Sequence, residues 1–421
     1  MPTELRVRKY RRSFEDRALP DPVGTLEAVL RGGHLARDHA GAEIAITVGS
    51  RGIHRLPEMV AAVVRFLREH NARPFIVPSM GSHGGATAAG QAHLLESLGV
   101  TEERVGAPVR SSMETVRLGA VEAAGRSWEV FTDRLAFEAD GILLVNRVKP
   151  HTDFSSRHES GLVKILVIGL GKEDGARVAH SRGTLGLTTA LPVMADFLLQ
   201  RLNVLGGVTL IEDANHHLAD LRVLRPEVIV DEEPRLLELA RSWMPNLPAG
   251  EIDLLIIESM GKEISGTGID TNVVGRRSIR GEADPPVPRI GLIGVCDLTP
   301  ASGGNALGVG VADMTTELLA AKIDARATAR NVITTTFLER GKIPVVLPSA
   351  RELVAVGEKL LRGENDGREP SMLFIRSTLH LGSFYASKRL ESVLAGDSSI
   401  SAVGDYRAVP YTPEGRLAFE W

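Results

Sequence analysis

Three histidines and one lysine lie in one stretch of the sequence, and their side chains could carry acid–base chemistry, covalent chemistry or metal binding. The lysine, Lys164, sits among aliphatic residues in the run LVKILVIGLG. An ammonium group in such surroundings loses hydration, so its pKa falls and its neutral amine becomes available as a nucleophile or attachment point. His151, His158 and His180 flank this run. Imidazoles exchange protons near neutral pH and bind metals.

Two further candidates follow strand patterns earlier in the chain. Arg51 follows EIAITV, and His83, in GSHGG, follows PFIV. A guanidinium binds carboxylates and phosphates through paired hydrogen bonds, and the glycines leave room for a ligand beside His83. His151 comes after Lys149-Pro150, where the proline stiffens the chain. Both histidines can act as general bases, or they are turn histidines that bond to local backbone.

The alternation of strand, loop and helix patterns predicts parallel strands joined by helices. Ligands bind at the carboxyl ends of the strands in such sheets, so Arg51 and His83 should lie at one edge. The run around Lys164 is interpreted as a strand, on which Leu162, Lys164 and Leu166 share a face. A charge on an apolar face favours a pocket for the amine; the alternative is a side chain whose ammonium reaches solvent. His158, beside Arg157, is interpreted as part of a solvated loop.

The length of 421 residues predicts two domains. The segment MPNLPAG, at 244–250, is interpreted as a linker. The prediction is an N-terminal α/β domain at 1–248, which carries the lysine and the histidines, and a smaller α/β domain at 249–421. Both should contain mostly parallel sheets. Roughly the last 20 residues are expected to pack back on the first domain.

The composition limits the possible partners and metal sites. A net charge of −4 and an aromatic content of 4% provide no basic field or stacking surface for nucleic acid. Cys296 is the single cysteine, which excludes an intrachain disulfide and a cysteine-ligated zinc or iron–sulfur site. The sequence has no apolar signal region and no apolar run of transmembrane length, so no membrane association and a cytoplasmic location are expected.

Two glycine-rich loops, at 261–277 and 299–310, could bind a phosphate through backbone N–H groups. Their glycines follow neither GxGxxG nor the Walker A pattern, so the signal is weak. Arg276 and Arg277 are candidates for binding a carboxylate or a phosphate, and a surface role explains them equally well.

The segments IVPSMGSHGGAT, VNRVKPHTDF and SGLVK, with a histidine sixteen residues after the lysine, resemble the nickel-dependent lactate racemase family. The resemblance extends over most of the chain and is strongest at about 44–182 and around 258–277. It implies two α/β domains with an interdomain cleft for the cofactor, a nickel-pincer nucleotide. This cofactor is a pyridinium mononucleotide that binds nickel between two thio-carbonyl groups.

The resemblance also implies roles for single residues. Lys164 matches the lysine that holds the cofactor through a thioamide, and His180 matches the histidine that ligates nickel. His83 and His151 match the two acid–base histidines, and Arg51 matches the arginine near substrate and cofactor. The other expected cofactor contacts are Gly268, Asp270 and Asn272.

The implied activity is racemisation or epimerisation of a 2-hydroxy acid by reversible hydride transfer. The expected partners are this small-molecule substrate and the enzymes that build the cofactor, and an oligomer is compatible with the sequence. Gly275 and Ser278 occupy the places of a glutamine and a lysine that lie beside substrate in the lactate enzyme, so Arg276 or Arg277 would substitute. A small insertion also lies at 155–159. We therefore expect a larger or more polar substrate than lactate, such as a sugar acid or a dicarboxylate.

Two other functions fit the residues. Lys164 could form a Schiff base in an aldolase or decarboxylase, with His83 or His151 as proton carrier. The chain could also be a non-catalytic homologue that binds a nucleotide.

Overall fold

The structure is a computed structural model that describes residues 5–364 and 368–421. Two compact units make up the chain. The central unit is Asp16–Met244, and the terminal unit combines Met1–Glu15 with Pro245–Trp421. This division differs from the expected 1–248 and 249–421 because the first strand, Arg6–Arg12, pairs with strands near the end of the chain.

The strands are β1 (Arg6–Arg12), β2 (Glu43–Val48), β3 (Arg73–Pro78), β4 (Thr115–Ala123), β5 (Arg126–Asp133), β6 (Gly141–Arg147), β7 (Val204–Glu212), β8 (Leu218–Leu224), β9 (Glu251–Met260), β10 (Arg289–Leu298), β11 (Met314–Thr316), β12 (Val345–Leu347), β13 (Met372–Ser377), β14 (His380–Ser387) and β15 (Ile400–Ala408).

The α-helices are α1 (Pro22–Gly32), α2 (Leu56–Glu69), α3 (Ala88–Ser97), α4 (Glu102–Val105), α5 (Arg134–Glu138), α6 (Leu162–Lys164), α7 (Lys172–His180), α8 (Leu191–Leu199), α9 (Ile229–Trp243), α10 (Thr271–Val274), α11 (Glu317–Ala320), α12 (Ala325–Thr335), α13 (Ala350–Glu364) and α14 (Glu391–Ala395). Two π-helical segments are Ile165–Gly169 and Gly186–Ala190. Single 3₁₀ turns lie at Gly84–Ala86, Pro226–Val228, Pro300–Ser302, Val309–Val311, Leu338–Gly341 and Lys388–Leu390.

The central unit contains a five-stranded sheet in the order β3-β2-β6-β7-β8. All neighbouring pairs are parallel except β7 and β8. Successive side chains of β2 enter different cores: Ile44 and Ile46 face a cluster with α1 and α2, and Ala45 faces a cluster with the helical segments at 162–199. Apolar layers on both faces explain why these strands are almost continuously hydrophobic.

The terminal unit contains an eight-stranded sheet in the order β12-β11-β10-β9-β13-β14-β1-β15. The pairs from β12 to β13 are parallel, and those from β13 to β15 are antiparallel. The end of the chain packs within this unit, and packing of the last residues on the first domain stays a prediction. Phe419 stacks on Tyr385 at 4.1 Å between ring centroids, and Trp421 meets the same ring edge-on.

The structure therefore confirms an α/β fold with mostly parallel pairing, and it corrects several elements. The run around Lys164 is helical, as α6 and the π-helical segment Ile165–Gly169, and not a strand. A short apolar run is consistent with a buried strand or a buried helix, so its pattern could not decide between them. The chain continues from this segment into α7, and residues 314–320 form the strand β11 followed by α11. No helix within the described ranges has the length and hydrophobicity of a membrane span.

Candidate functional site

Three of the candidate residues lie in loops at one edge of the central sheet. Arg51 follows β2, His83 follows β3 and His151 follows β6. These strands are adjacent and parallel, so their carboxyl ends lie at the same edge, as the sequence predicts. Ser50 Oγ lies 2.5 Å from His83 Nδ1, which joins the loops after β2 and β3 directly.

A buried carboxylate shapes the loop that carries His151. The two oxygens of Glu159 accept hydrogen bonds from the backbone N–H groups of His151, at 2.6 Å, and Ser156, at 2.9 Å. Arg241 pairs with the same carboxylate at 2.8 Å. Because Glu159 is 1% exposed, these contacts are shielded from water and fix the loop firmly.

His151 and Lys164 are in direct contact through Nε2 and Nζ. His151 Nδ1 accepts a hydrogen bond from the backbone N–H of Asp153 at 3.1 Å. A neutral imidazole with this acceptor carries its proton on Nε2, which then donates to Lys164 Nζ. Only a neutral amine can accept that bond. The contact therefore favours the uncharged, nucleophilic form of Lys164.

Burial lowers the pKa of Lys164 to about 8. The negative charge of Asp153 opposes this change and the positive charge of Arg51 adds to it. Within the described residues, no carboxylate forms an ion pair with Lys164 that would restore the ammonium form. The helical segment thus holds an amine whose neutral form, the form that can act as a nucleophile, is more populated near neutral pH than that of an ordinary lysine.

His180, at the end of α7, is electrostatically coupled to Lys164. Burial, and then the charge of Lys164, lower the pKa of His180 to about 4. The imidazole is therefore neutral at physiological pH, which is the form that ligates a metal. The pKa of Arg51 is also below its ordinary value, because surrounding protein reduces its hydration and Arg147 adds a like charge, although much of the residue's surface is exposed.

A second buried carboxylate, Glu233 on α9, caps the start of the helical segment that carries Lys164. It accepts backbone N–H bonds from Leu162 and from Val163, the latter at 3.0 Å. A Cβ at Gly161 would lie 2.4 Å from this carboxyl group, so the close approach requires glycine there. Burial raises the pKa of Glu233 to about 7. Among the residues that the structure describes, its Oε1 has no hydrogen-bond partner.

Other histidines have structural explanations. His158 is 3% exposed and its Nε2 bonds to the carbonyl of Val230 at 2.7 Å, so the expectation of a solvated loop position was wrong. His217 lies with Asp16 and Asp213 in a group whose ligand atoms are within 4.8 Å of one another. Asp213 already accepts three backbone N–H bonds there, which accounts for its burial.

The expected cofactor contacts beyond Arg51 and Lys164 belong to the terminal unit. Asp270 caps α10 by accepting the backbone N–H of Asn272 at 3.0 Å. Gly268 has a φ of +72°, and a Cβ there would lie 2.4 Å from Met260 Cε. These residues shape a tight loop, and their contact with a cofactor stays a prediction.

The two arginines expected near substrate also belong to the terminal unit. Arg276 pairs with Asp313 at 2.6 Å and donates to the carbonyls of Val311 and Ile290. The backbone of Arg277 bonds to Asp284 and Arg340. Arg276 thus stabilises its own loop, and substrate binding by either residue stays a prediction.

The central unit also has a cavity of about 780 Å³ between the 155–157 loop and α9. Its lining includes part of the insertion at 155–159 but none of the candidate site residues Arg51, His83, His151, Lys164 and His180. It consists of Ser155, Ser156, Arg157, Asp231, Pro234, Arg235, Leu237, Glu238 and Arg241.

Several residues that shape the site had no signal in the sequence. Ser50, Glu159 and Glu233 act on candidates through contacts that only the fold creates. Lys172 did carry a signal, since it is a charged residue directly after the apolar run and a glycine pair. It is fully buried beside Asp133.

The sequence matches one described family. Residues 46–230 match a domain of unknown function, DUF362. This range covers the strands, loops and helical segments that carry Arg51, His83, His151, Lys164 and His180. No curated protein matches the chain at a significant level.

Two solved structures are distantly similar. One is a protein from Thermotoga maritima, with 13% identity and a TM-score of 0.49, over 68% of this chain and 72% of that one. The other is the lactate racemase apoprotein from Thermoanaerobacterium thermosaccharolyticum, with 14% identity and a TM-score of 0.48, over 90% of this chain and 99% of that one.

Proposed function

We propose that this protein is a racemase or epimerase of a 2-hydroxy acid that holds a nickel-pincer nucleotide through Lys164. The observation that carries the proposal is the His151–Lys164 pair, in which an amine with a pKa of about 8 contacts an imidazole at the carboxyl edge of a parallel sheet. The resemblance of the surrounding motifs to the lactate racemase family supplies the cofactor and the reaction.

The residues fit the donor set that this cofactor needs. A covalent bond to a thio-carbonyl arm requires a neutral amine, and the lowered pKa of Lys164 provides one. A nickel ligand must be a neutral imidazole, and the pKa of about 4 keeps His180 in that form. When bound, the pyridinium ring of the cofactor would accept a hydride from C2 of the substrate and return it to either face.

The protein's own groups would move the accompanying proton and orient the substrate. His83 and His151 lie in neighbouring loops, and each would take the hydroxyl proton of one enantiomer and return it to the other. Arg51 forms no hydrogen bond or ion pair with any described residue, which leaves its guanidinium for the substrate carboxylate or a cofactor phosphate. Substrates larger than lactate remain our expectation, and Arg276 or Arg277 would contact them.

The test is to produce the protein together with enzymes that build the cofactor and to measure its intact mass and nickel content. The wild type and the exposed control Lys342→Ala should carry the added mass and nickel, and Lys164→Ala should carry no added mass. A 2-hydroxy acid deuterated at C2 should racemise with retention of its deuterium, since a hydride does not exchange with water. Wild-type protein that never gains mass or nickel would disprove the proposal.

A second candidate rests on the same contact. An amine with a pKa of about 8 beside an imidazole is also suited to forming a Schiff base. In that case borohydride would trap a carbonyl substrate on Lys164 in metal-free protein, and Lys342→Ala would be trapped equally well.

A further inference from the structure

A buried polar network connects α7 to the loop of His83. Lys172 Nζ donates to the carbonyl of Pro78 at 2.5 Å and to Gln91 Oε1 at 3.0 Å, and it lies 3.0 Å from Asp133 Oδ2. Both members of the Lys172–Asp133 ion pair are 0% exposed. Two hydrogen-bond acceptors and one carboxylate at ion-pair distance surround the ammonium, so its charge is compensated within the core.

Gln91 continues the network into the loop that carries His83. Its Nε2 donates to the carbonyl of Gly81 at 2.7 Å and to that of His83 itself at 3.3 Å. Gln91 is fully buried at the start of α3. The amide therefore links the Lys172 ammonium to the backbone of His83 through two successive hydrogen bonds.

The same loop also contacts the helical segment that carries Lys164. The backbone N–H of Gly81 donates to the carbonyl of Gly169 at 3.2 Å. A Cβ on Gly169 would lie 2.7 Å from the carbonyl oxygen of Ser79, so the two backbones approach too closely for any larger residue. Lys172 is three residues beyond this contact and has a φ of +53°, a costly conformation for a lysine.

We infer that Lys172, with Asp133 and Gln91, is a positioning residue that fixes the His83 loop against the helical segment of Lys164 and His180. The inference deepens the proposed function, on which the role of His83 rests. Lys172 lies midway between Lys164 and His180 along the chain, and its side chain bonds to Pro78, at the end of β3, and to Gln91, which bonds to the loop of His83. One buried ammonium thus determines where the imidazole of His83 stands relative to the amine of Lys164.

The first test measures backbone hydrogen exchange in protein without cofactor. Gln91→Met removes both links to the loop without leaving a charge unpaired, and Lys172→Met combined with Asp133→Asn removes the ion pair. Both should speed exchange at residues 79–87 by roughly 10-fold or more, while β2 stays protected. Arg177→Met, an exposed change on the same helix, should have no effect. If the folded Gln91→Met variant exchanges like the wild type, or if β2 loosens equally, the inference is wrong.

The second test uses the holoenzyme and follows the formation of 2-keto acid from each enantiomer in a single turnover. In this step the C2 hydrogen leaves with its electron pair and a histidine takes the hydroxyl proton. Because His83 and His151 serve opposite enantiomers, Gln91→Met should slow one enantiomer by roughly 10- to 100-fold and the other by much less. Equal loss for both enantiomers would overturn the inference. If wild-type enzyme racemises nothing, the proposed function fails, and the exchange data still decide whether the network holds the loop.

Discussion

Lys164 and Lys172 lie eight residues apart on one helical stretch. Both amines are in apolar surroundings, but the groups that contact them differ. Lys164 contacts a histidine and, in the part of the chain that the structure describes, no carboxylate within ion-pair distance; burial lowers its pKa to about 8. Lys172 is more deeply buried, but Asp133, Gln91 and a backbone carbonyl surround its ammonium. Burial also lowers the pKa of Lys172, and Asp133 counteracts that effect.

The difference between Lys164 and Lys172 indicates that burial alone does not make a lysine reactive. The surrounding acceptors decide whether the amine keeps its proton: carboxylate and carbonyl oxygens stabilise the ammonium, and an imidazole N–H stabilises the neutral form. Lys164 is therefore suited to covalent chemistry, and Lys172 to holding structure. Changes to either lysine, or to the groups around it, test this contrast.

Substitution of His180, the proposed nickel ligand, should separate cofactor attachment from metal binding. In protein produced with the cofactor-building enzymes, His180→Ala should keep the added mass on Lys164 but lose nickel by well over 10-fold, because the neutral imidazole is the proposed ligand. Elemental analysis and intact mass measure the two effects separately. His93→Ala, an exposed change, should leave both unchanged. Full nickel content in His180→Ala would show that His180 is not the nickel ligand.

Exchange of each lysine for methionine should affect stability very differently. Lys172→Met leaves the Asp133 carboxylate buried without its partner and should lower the free energy of unfolding by about 3–5 kcal/mol. Lys164→Met breaks no ion pair and should change it by less than about 1 kcal/mol. Urea denaturation measures both. Addition of Asp133→Asn to Lys172→Met should recover much of the loss, and equal losses for the two single variants would refute the contrast.

The sequence predicted much of the central unit and the location of the candidate residues, for identifiable reasons. The strand pattern of β2 ends at Val48 as in the structure, and that of β3 ends one residue before Pro78, so the loops of Arg51 and His83 were correctly placed at one edge. The helical state of the Lys164 run could not be predicted, since its apolar residues suit both kinds of buried element. Nor could the partners of Lys172, because Asp133 and Gln91 are distant in the chain and become neighbours only in the folded core.

Chemical labelling should distinguish the two amines by their pH dependence. Competitive acetylation of Lys164 should reach half of its maximum near pH 8, where half of its amine is neutral. An ordinary lysine with a pKa of about 10.4 is then less than about 1% neutral, so the neutral fractions differ by roughly 100-fold. Lys172 should resist labelling in the folded protein because it is 0% exposed. A midpoint above pH 10 for Lys164 would show that its ammonium is stable in place.

Two buried carboxylates near these lysines, Asp133 and Glu233, differ in the same way: one has a charged partner and the other does not form an ion pair with a described residue. Asp133 is paired with Lys172, whereas Glu233 caps the segment of Lys164, forms no ion pair with a described residue and has a pKa raised to about 7. A raised pKa means that the folded protein holds this proton more tightly than the unfolded chain, whose carboxyl has the ordinary value of 4.5. The contribution to stability is complete below pH 4.5 and is lost as the pH rises through 7, by about 3 kcal/mol.

Glu233→Gln should abolish this loss, because the amide oxygen still accepts the N–H groups of Leu162 and Val163 and cannot ionise. The difference in unfolding free energy between variant and wild type, measured by urea denaturation from pH 4.5 to 8, should move in favour of the variant by about 3 kcal/mol. Glu238→Gln, an exposed change on the same helix, should show no such trend. A difference independent of pH would mean that Glu233 is ionised in the folded protein, with a cation that compensates it as Lys172 compensates Asp133.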